Sequence, residues 1–218
     1  GFYNYVEERG EAKDSDIDPP SSGHSVFLTE GSWAPGLAQL IDESSLNVSN
    51  EVANTNLVVF RSSVAEGMRS MLATLEPDIS PQTTILCQCV DATLHEIASW
   101  LEHPSRLIGF DGLFFANGSR ATMVSHATST EESYLSGEQF AASVGRKVEW
   151  IEDGPACVVP RVVAMLANEA AFGFVEGLAD QETIDMAMRL GVNYPKGPLA
   201  WAKEIGIERV VEILDFLR

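Results

Sequence analysis

From Ser25 onward, short apolar runs alternate with segments of helical period. Ser25 to Leu28 reads as a short buried strand, and Pro35 to Ile41 as a helix. Asn56 to Phe60 and Thr84 to Val90 are further apolar strands, each followed by a helix, Val64 to Leu75 and Leu94 to Leu101. Arg106 to Phe110 is a fourth strand, Glu131 to Val144 a helix, and Lys147 to Ile151 a further strand. Strands alternating with helices of this length imply βαβ units and a mainly parallel sheet.

After Gly154-Pro155 the strand signals stop. Val162, Val163, Leu166, Ala170 and Phe174 recur at helical spacing between Pro160 and Gly177. Asp180 caps a second helix that Gly191 stops, Pro198 opens a third that Gly206 stops, and Val210 to Leu217 make the last. The expected architecture is therefore α/β then all-α, a small Rossmann-like domain over 24–153 followed by a helical domain over 154–218. Residues 1–23 are charged, rich in Pro, Ser and Gly after Ile17, and poor in large apolar groups after Tyr5 and Val6. Such a segment reads as an acidic linker or the tail of a preceding domain.

Composition narrows the partners. The 218 residues carry 32 acidic against 14 basic side chains, a net charge of −18. A surface so acidic repels phosphate backbones and anionic lipid, so neither nucleic acid nor membrane is an expected partner. No apolar run approaches the roughly 20 residues that span a bilayer, and no signal-peptide pattern is present. A soluble, cytoplasmic protein is expected. The chain starts at Gly1, which reads as a processed chain or a fragment. Three cysteines leave no disulfide framework. Cys87 and Cys89 are expected on one face of a strand as small buried hydrophobes. A zinc set adding His95 and Cys157 lacks paired ligand spacing, so no metal is expected.

Candidate chemistry begins at the first strand-to-helix turn, Thr29-Glu30-Gly31-Ser32-Trp33-Ala34. A dinucleotide turn wants G-x-G-x-x-G/A, so that backbone can approach a pyrophosphate. Gly31 and Ala34 fit the second and third positions and are the candidate cofactor-binding residues; Thr29 stands in place of the first glycine. Glu30 and Trp33 put a charge and a large side chain where phosphate would sit. The acidic residue that would follow about 20 positions on is Glu51, with no convincing second strand leading to it. A Rossmann-like turn kept for packing alone is the other reading.

The helical part carries a more specific pattern. Asn168-Glu169-Ala170, Glu176-Gly177, Ile184-Asp185-Met186-Ala187-Met188-Arg189-Leu190-Gly191 and Pro195-Lys196-Gly197-Pro198 together resemble the C-terminal domain of the 3-hydroxyacyl-CoA dehydrogenases. His103-Pro104-Ser105-Arg106-Leu107-Ile108-Gly109 is similar to the end of that family's Rossmann domain. Gly1-Phe2-Tyr3-Asn4-Tyr5 is similar to the motif closing the family's C-terminal region. A chain opening with the end of one copy and running into a second resembles the C-terminal half of the long, tandem members of phenylacetate breakdown.

The resemblance implies an NAD-dependent oxidation of 3-hydroxyacyl-CoA to 3-oxoacyl-CoA, part of fatty acid metabolism, in the parent protein. It implies as partners an N-terminal catalytic half, acyl-CoA at a shared cleft, and a second copy in a homodimer through the helical domain. The family's catalytic residues do not carry over. Its histidine falls at Asp111, its partner glutamate at Ser125, and its asparagine before arginine at Pro160, before Arg161. Its N-x-S segment has become Gln88-Cys89-Val90-Asp91. An unperturbed carboxylate of pKa about 3.9 is a poor base for an alcohol. This half is therefore expected to be non-catalytic and to bind no cofactor, supporting the cleft or dimer-like packing. Two alternatives stand beside it: a purely structural self-association module, and an enzyme rebuilt around Asp111 and His126. His95 and His103 read as surface or capping residues, and Arg161 with Glu169 as a structural pair at the domain interface.

Overall fold

The computed structural model describes residues 24–218, so the expected linker 1–23 and the motif Gly1 to Tyr5 lie outside the described residues. Among the described residues seven strands occur: β1 Ser25–Leu28, β2 Asn47–Val48, β3 Leu57–Phe60, β4 Thr84–Gln88, β5 Leu107–Phe110, β6 Arg120–Ser125 and β7 Lys147–Glu152. They form one sheet in the order β2-β1-β3-β4-β5-β6-β7, parallel throughout except for the antiparallel β5–β6 pair. Four helices accompany the sheet: α1 Leu37–Asp42, α2 Met68–Leu75, α3 Leu94–Ala98 and α4 Glu131–Ser143. Four more follow it: α5 Val159–Val175, α6 Gln181–Val192, α7 Pro198–Ile205 and α8 Ile207–Phe216. The class is α/β followed by all-α.

β3, β4 and β5 are buried at every position, as parallel strands covered on both faces must be. Alternation along β3 divides the core in two. Val58 and Phe60 join Ile85, Cys87 and Leu107 on one face, covered by Met68 and Leu72 of α2 and Ile97 of α3. Leu57 and Val59 join Val26, Leu86 and Ile108 on the other, covered by Leu37 and Ile41 of α1 and Phe140 of α4. The helical part docks on the first face through Val163, Ala164 and Ala167 of α5, Ala202 of α7 and Ile213 of α8. Cys87 and Cys89 lie in this same layer, both fully enclosed.

Two strands escape the hydrophobic pattern. β6 has apolar side chains only at Ala121, Met123 and Val124, and its antiparallel place between β5 and β7 decides its conformation. β2 is a two-residue edge with both side chains exposed, and Glu51 follows it in a short turn. α2 begins at Met68 rather than Val64, because residues 64–67 form a turn that ends on left-handed Gly67, φ 90°. α3 ends at Ala98, short of Leu101. Asp180 caps α6 by accepting the Thr183 amide at 2.8 Å. α6 runs past Gly191, and left-handed Asn193, φ 57°, ends it.

Candidate functional site

β1 lies between β2 and β3, so chain order reverses there, and the crevice at the carboxyl ends of β1 and β3 is where doubly wound sheets place ligands. The loops leaving the two strands meet directly in this crevice. The Trp33 amide donates to the Arg61 carbonyl at 2.9 Å, and the Arg61 guanidinium donates to the Thr29 carbonyl at 3.0 Å. Gly31 has φ 148°, and a β-carbon there would stand 2.4 Å from the Ser62 nitrogen. Its glycine is required by the close approach of its own chain.

Glu66 occupies the amide groups of these loops. Its carboxylate accepts from the Ser63 amide at 3.0 Å, the Ser32 amide at 3.3 Å and the Ser32 hydroxyl at 2.5 Å. Partial burial pushes its pKa up, but those hydrogen bonds and the Arg209 charge outweigh it, leaving Glu66 below the ordinary carboxylate range. Arg209 of α8 donates to the Ser32 carbonyl at 2.9 Å and to its hydroxyl at 2.8 Å. Its guanidinium lies 5.8 Å from the Trp33 ring centroid. Trp33 itself is 2% exposed and belongs to the core. Ala34 is buried in the opposite core layer. Glu30 is exposed, and the carboxylate seated on the amides of this turn is that of Glu66. One signal for that was available: Ser63 and Glu66 have capping-box spacing, and the Ser63 hydroxyl accepts the Glu66 amide at 3.0 Å in return. The reach of Glu66 to Ser32, 34 residues away, has no sequence signature.

The loop after β4 closes the crevice further. Gln88 donates to the Ser62 carbonyl at 3.0 Å and to Asp91 at 2.5 Å, and Asp91 accepts the Val64 amide at 2.6 Å. Burial drives the Asp91 pKa up despite those bonds.

Asp111 follows β5 directly and is 1% exposed. One carboxylate oxygen accepts the Leu113 and Phe114 amides, each at 3.1 Å; the other is buried without a hydrogen-bond partner. Burial raises its pKa to about 7 against those two amides. The antiparallel register puts Thr122 opposite Asp111, through an amide-to-carbonyl bond of 3.1 Å. Ser125 lies three residues further along β6 and donates to the Ile151 carbonyl at 3.2 Å. His126 lies four residues beyond Thr122, about 13 Å of extended strand from the Asp111 end. Its Nδ1 contacts the Thr128 hydroxyl at 2.9 Å, and its ring stands 5.9 Å from that of His95. Asp111 and His126 therefore occupy opposite ends of β5 and share no site.

Pro160 is buried at the second position of α5. Nearby, Val159, Val162, Phe114, Tyr194 and Trp201 line an apolar groove of about 610 Å³ between the β5–β6 connection and the helical part. Arg161 and Glu169 are exposed on α5, with no ion pair between them among the described residues. Asp153, which sequence reasoning passed over, accepts the Leu94 and His95 amides at 2.9 and 2.7 Å and so caps α3. Among the described residues no group of three or more His, Cys, Asp and Glu side chains could hold a metal ion, and no helix is long and apolar enough to cross a membrane.

Residues 157–218 match the model of the 3-hydroxyacyl-CoA dehydrogenase C-terminal domain. The chain is 28% identical to the 3-hydroxyadipyl-CoA dehydrogenase of Escherichia coli K12 over 89% of its own length and 42% of that protein's. It is 30% identical to a probable 3-hydroxybutyryl-CoA dehydrogenase of Bacillus subtilis, over 82% of its length and 63% of the relative's. The structure of (S)-3-hydroxybutyryl-CoA dehydrogenase from Ralstonia eutropha shares the fold, with a TM-score of 0.71 at 18% identity, covering 90% of this chain and 87% of that one. Through residues 157–218 and these relatives the chain resembles the 3-hydroxyacyl-CoA dehydrogenase family. It spans less than two thirds of the length of these two curated relatives.

The residues at the switch point do not fit the dinucleotide that the family implies. A pyrophosphate needs free amides and room beside the second glycine, whereas here Glu66 holds the amides and Ser62 fills the room.

Proposed function

We propose that this chain is the C-terminal half of an NAD-dependent 3-hydroxyacyl-CoA dehydrogenase and serves it as a non-catalytic scaffold. In that reading the parent enzyme oxidises 3-hydroxyacyl-CoA to 3-oxoacyl-CoA in the cytoplasm. NAD and the base belong to an N-terminal half, and this half completes the acyl-CoA cleft or packs as a dimer partner would. The observation that carries the reading is the Glu66 carboxylate seated on the Ser32 and Ser63 amides. A fixed internal anion repels the phosphates a working cofactor turn must attract. Gly31 and Ala34 then act in packing, and Asp111, Ser125 and Pro160 are former catalytic positions without a catalytic task. The reading has a direct test in the chain mixed with NAD and 3-hydroxybutyryl-CoA or 3-hydroxyadipyl-CoA. No reduced cofactor is expected at 340 nm, and titration of NAD is expected to give flat calorimetric traces. Family-like turnover by the chain alone overturns it.

The uncovered side of the helical part supports a packing role. Val175, Leu178 and Leu190 are 78%, 76% and 80% exposed, and α6 buries no residue at all. Apolar side chains so open on neighbouring helices are what a partner surface offers, whether the N-terminal half or a second copy.

A further inference from the structure

Cys89 and Cys157 are not used by the functional reading, yet they bring two thiols together where the helical part meets the sheet. Their sulfurs stand 3.7 Å apart although the residues are 68 positions apart in the chain. Cys89 follows β4, and Cys157 lies in the connection from β7 to α5. That connection turns through two successive non-glycine residues with left-handed backbone, Ala156 at φ 61° and Cys157 at φ 52°. The turn drives Cys157 into the core, where its thiol donates to the Cys89 carbonyl at 3.4 Å. The Cys89 thiol donates in turn to the Phe110 carbonyl at 3.5 Å. Gly109 lies beside it, where a β-carbon would come within 2.8 Å of the Cys89 sulfur, so the missing side chain gives that sulfur its room.

We propose that Cys89 and Cys157 are an oxidation site, a dithiol that a peroxide converts to a disulfide fastening the helical part to the sheet. A disulfide needs its sulfurs at about 2.05 Å, so the pair must close by about 1.7 Å from its 3.7 Å separation. Cys157, at 6% exposure against 1% for Cys89, is the side a small oxidant reaches first. Its thiolate attacks hydrogen peroxide, forming a sulfur–oxygen bond as the O–O bond breaks and releasing water. Cys89 sulfur then displaces the hydroxyl of the sulfenic acid as a second water. Two S–H bonds are lost, one S–S bond forms, and the peroxide accepts both electrons and both protons. The hydrogen bond with Cys89, burial, and the nearby Asp111 and Asp153 carboxylates hold the Cys157 thiol well above its ordinary pKa. The reaction is accordingly slower than that of an exposed thiol. Cys87, fully enclosed on β4, has no such neighbour and serves as the internal control.

The test is independent of the scaffold reading. The full chain is reduced, exposed to hydrogen peroxide under native conditions, then denatured, alkylated and mapped by mass spectrometry without reductant. The expected result is a Cys89–Cys157 cross-linked peptide with only Cys87 alkylated, and a thermal midpoint raised by about 5–10 °C. Cys89→Ala and Cys157→Ser are each expected to abolish the cross-link. Should either variant fail to fold, the wild-type map alone decides. Alkylation of all three cysteines after peroxide treatment, or a cross-link through Cys87, overturns the proposal.

Discussion

The Glu66 carboxylate and the Ser32 amide face each other at 3.3 Å across the carboxyl ends of β3 and β1. Rossmann-like turns keep such an amide free for a ligand phosphate, and here a side chain of the same chain has taken it. Arg209 of α8 ties the pair to the helical part through the Ser32 carbonyl and hydroxyl. A crevice that would open to a ligand has become a joint between two parts of one protein.

Gly31→Ala tests how closed that joint is. The added β-carbon meets backbone of Arg61 and Ser62 at 2.4–2.7 Å, and φ 148° disfavours any L side chain. Both effects act on backbone, which cannot rotate away. A loss of about 3 kcal/mol or more is expected in urea unfolding. A loss under about 1 kcal/mol would mean that the two loops separate readily.

Glu66→Gln separates charge from shape. Glu66 has a lowered pKa, so its contribution is present above the ordinary carboxylate range and is lost as pH falls through its folded value. Thermal midpoints of wild type and variant should differ at pH 7 and converge only once pH has fallen through the folded value, below the ordinary carboxylate range. A difference that persists in acid would show that the carboxylate charge is irrelevant.

The fold was legible wherever burial imposed a continuous pattern. β3, β4 and β5 are enclosed on both faces and so read as unbroken apolar runs, while the caps Asp180 and Gly177 mark helix ends by local chemistry. β6 was not legible, because a strand held by its neighbours needs few apolar residues of its own. The site was half legible. Thr29 and Trp33 announced an altered turn, but Glu66 enters it through a contact across 34 residues that no local pattern encodes. The separation of Asp111 from His126 likewise depends on strand register, which spacing along the chain does not reveal.

Asp111→Asn should reveal the opposite pH sign from Glu66. Burial raises the Asp111 pKa to about 7, so the folded chain holds a proton that the unfolded chain has lost above about pH 4. Its favourable balance is complete below about pH 4 and disappears as pH rises through 7. Asparagine keeps the acceptor for the Leu113 and Phe114 amides without the charge. The variant should gain on wild type between about pH 4 and pH 7, by about 4 kcal/mol at most. Parallel pH–stability curves would mean that Asp111 remains ionised when buried.

Leu190→Gln addresses the role of the helical surface. Met186 and Leu190 lie four apart and so on one face of α6, exposed by 51% and 80%. Because Leu190 touches little in the chain, glutamine there should leave the thermal midpoint of the dilute chain unchanged within about 1 °C. If the face meets a partner, the same change removes apolar burial at the contact and weakens association by about tenfold or more. Light scattering against concentration reads self-association, and co-purification with an N-terminal half reads the intramolecular arrangement. Weakening in the first places a second copy on α6; weakening in the second alone assigns the face to the catalytic half. A variant indistinguishable from wild type in both would leave α6 facing solvent and remove the packing role from this surface.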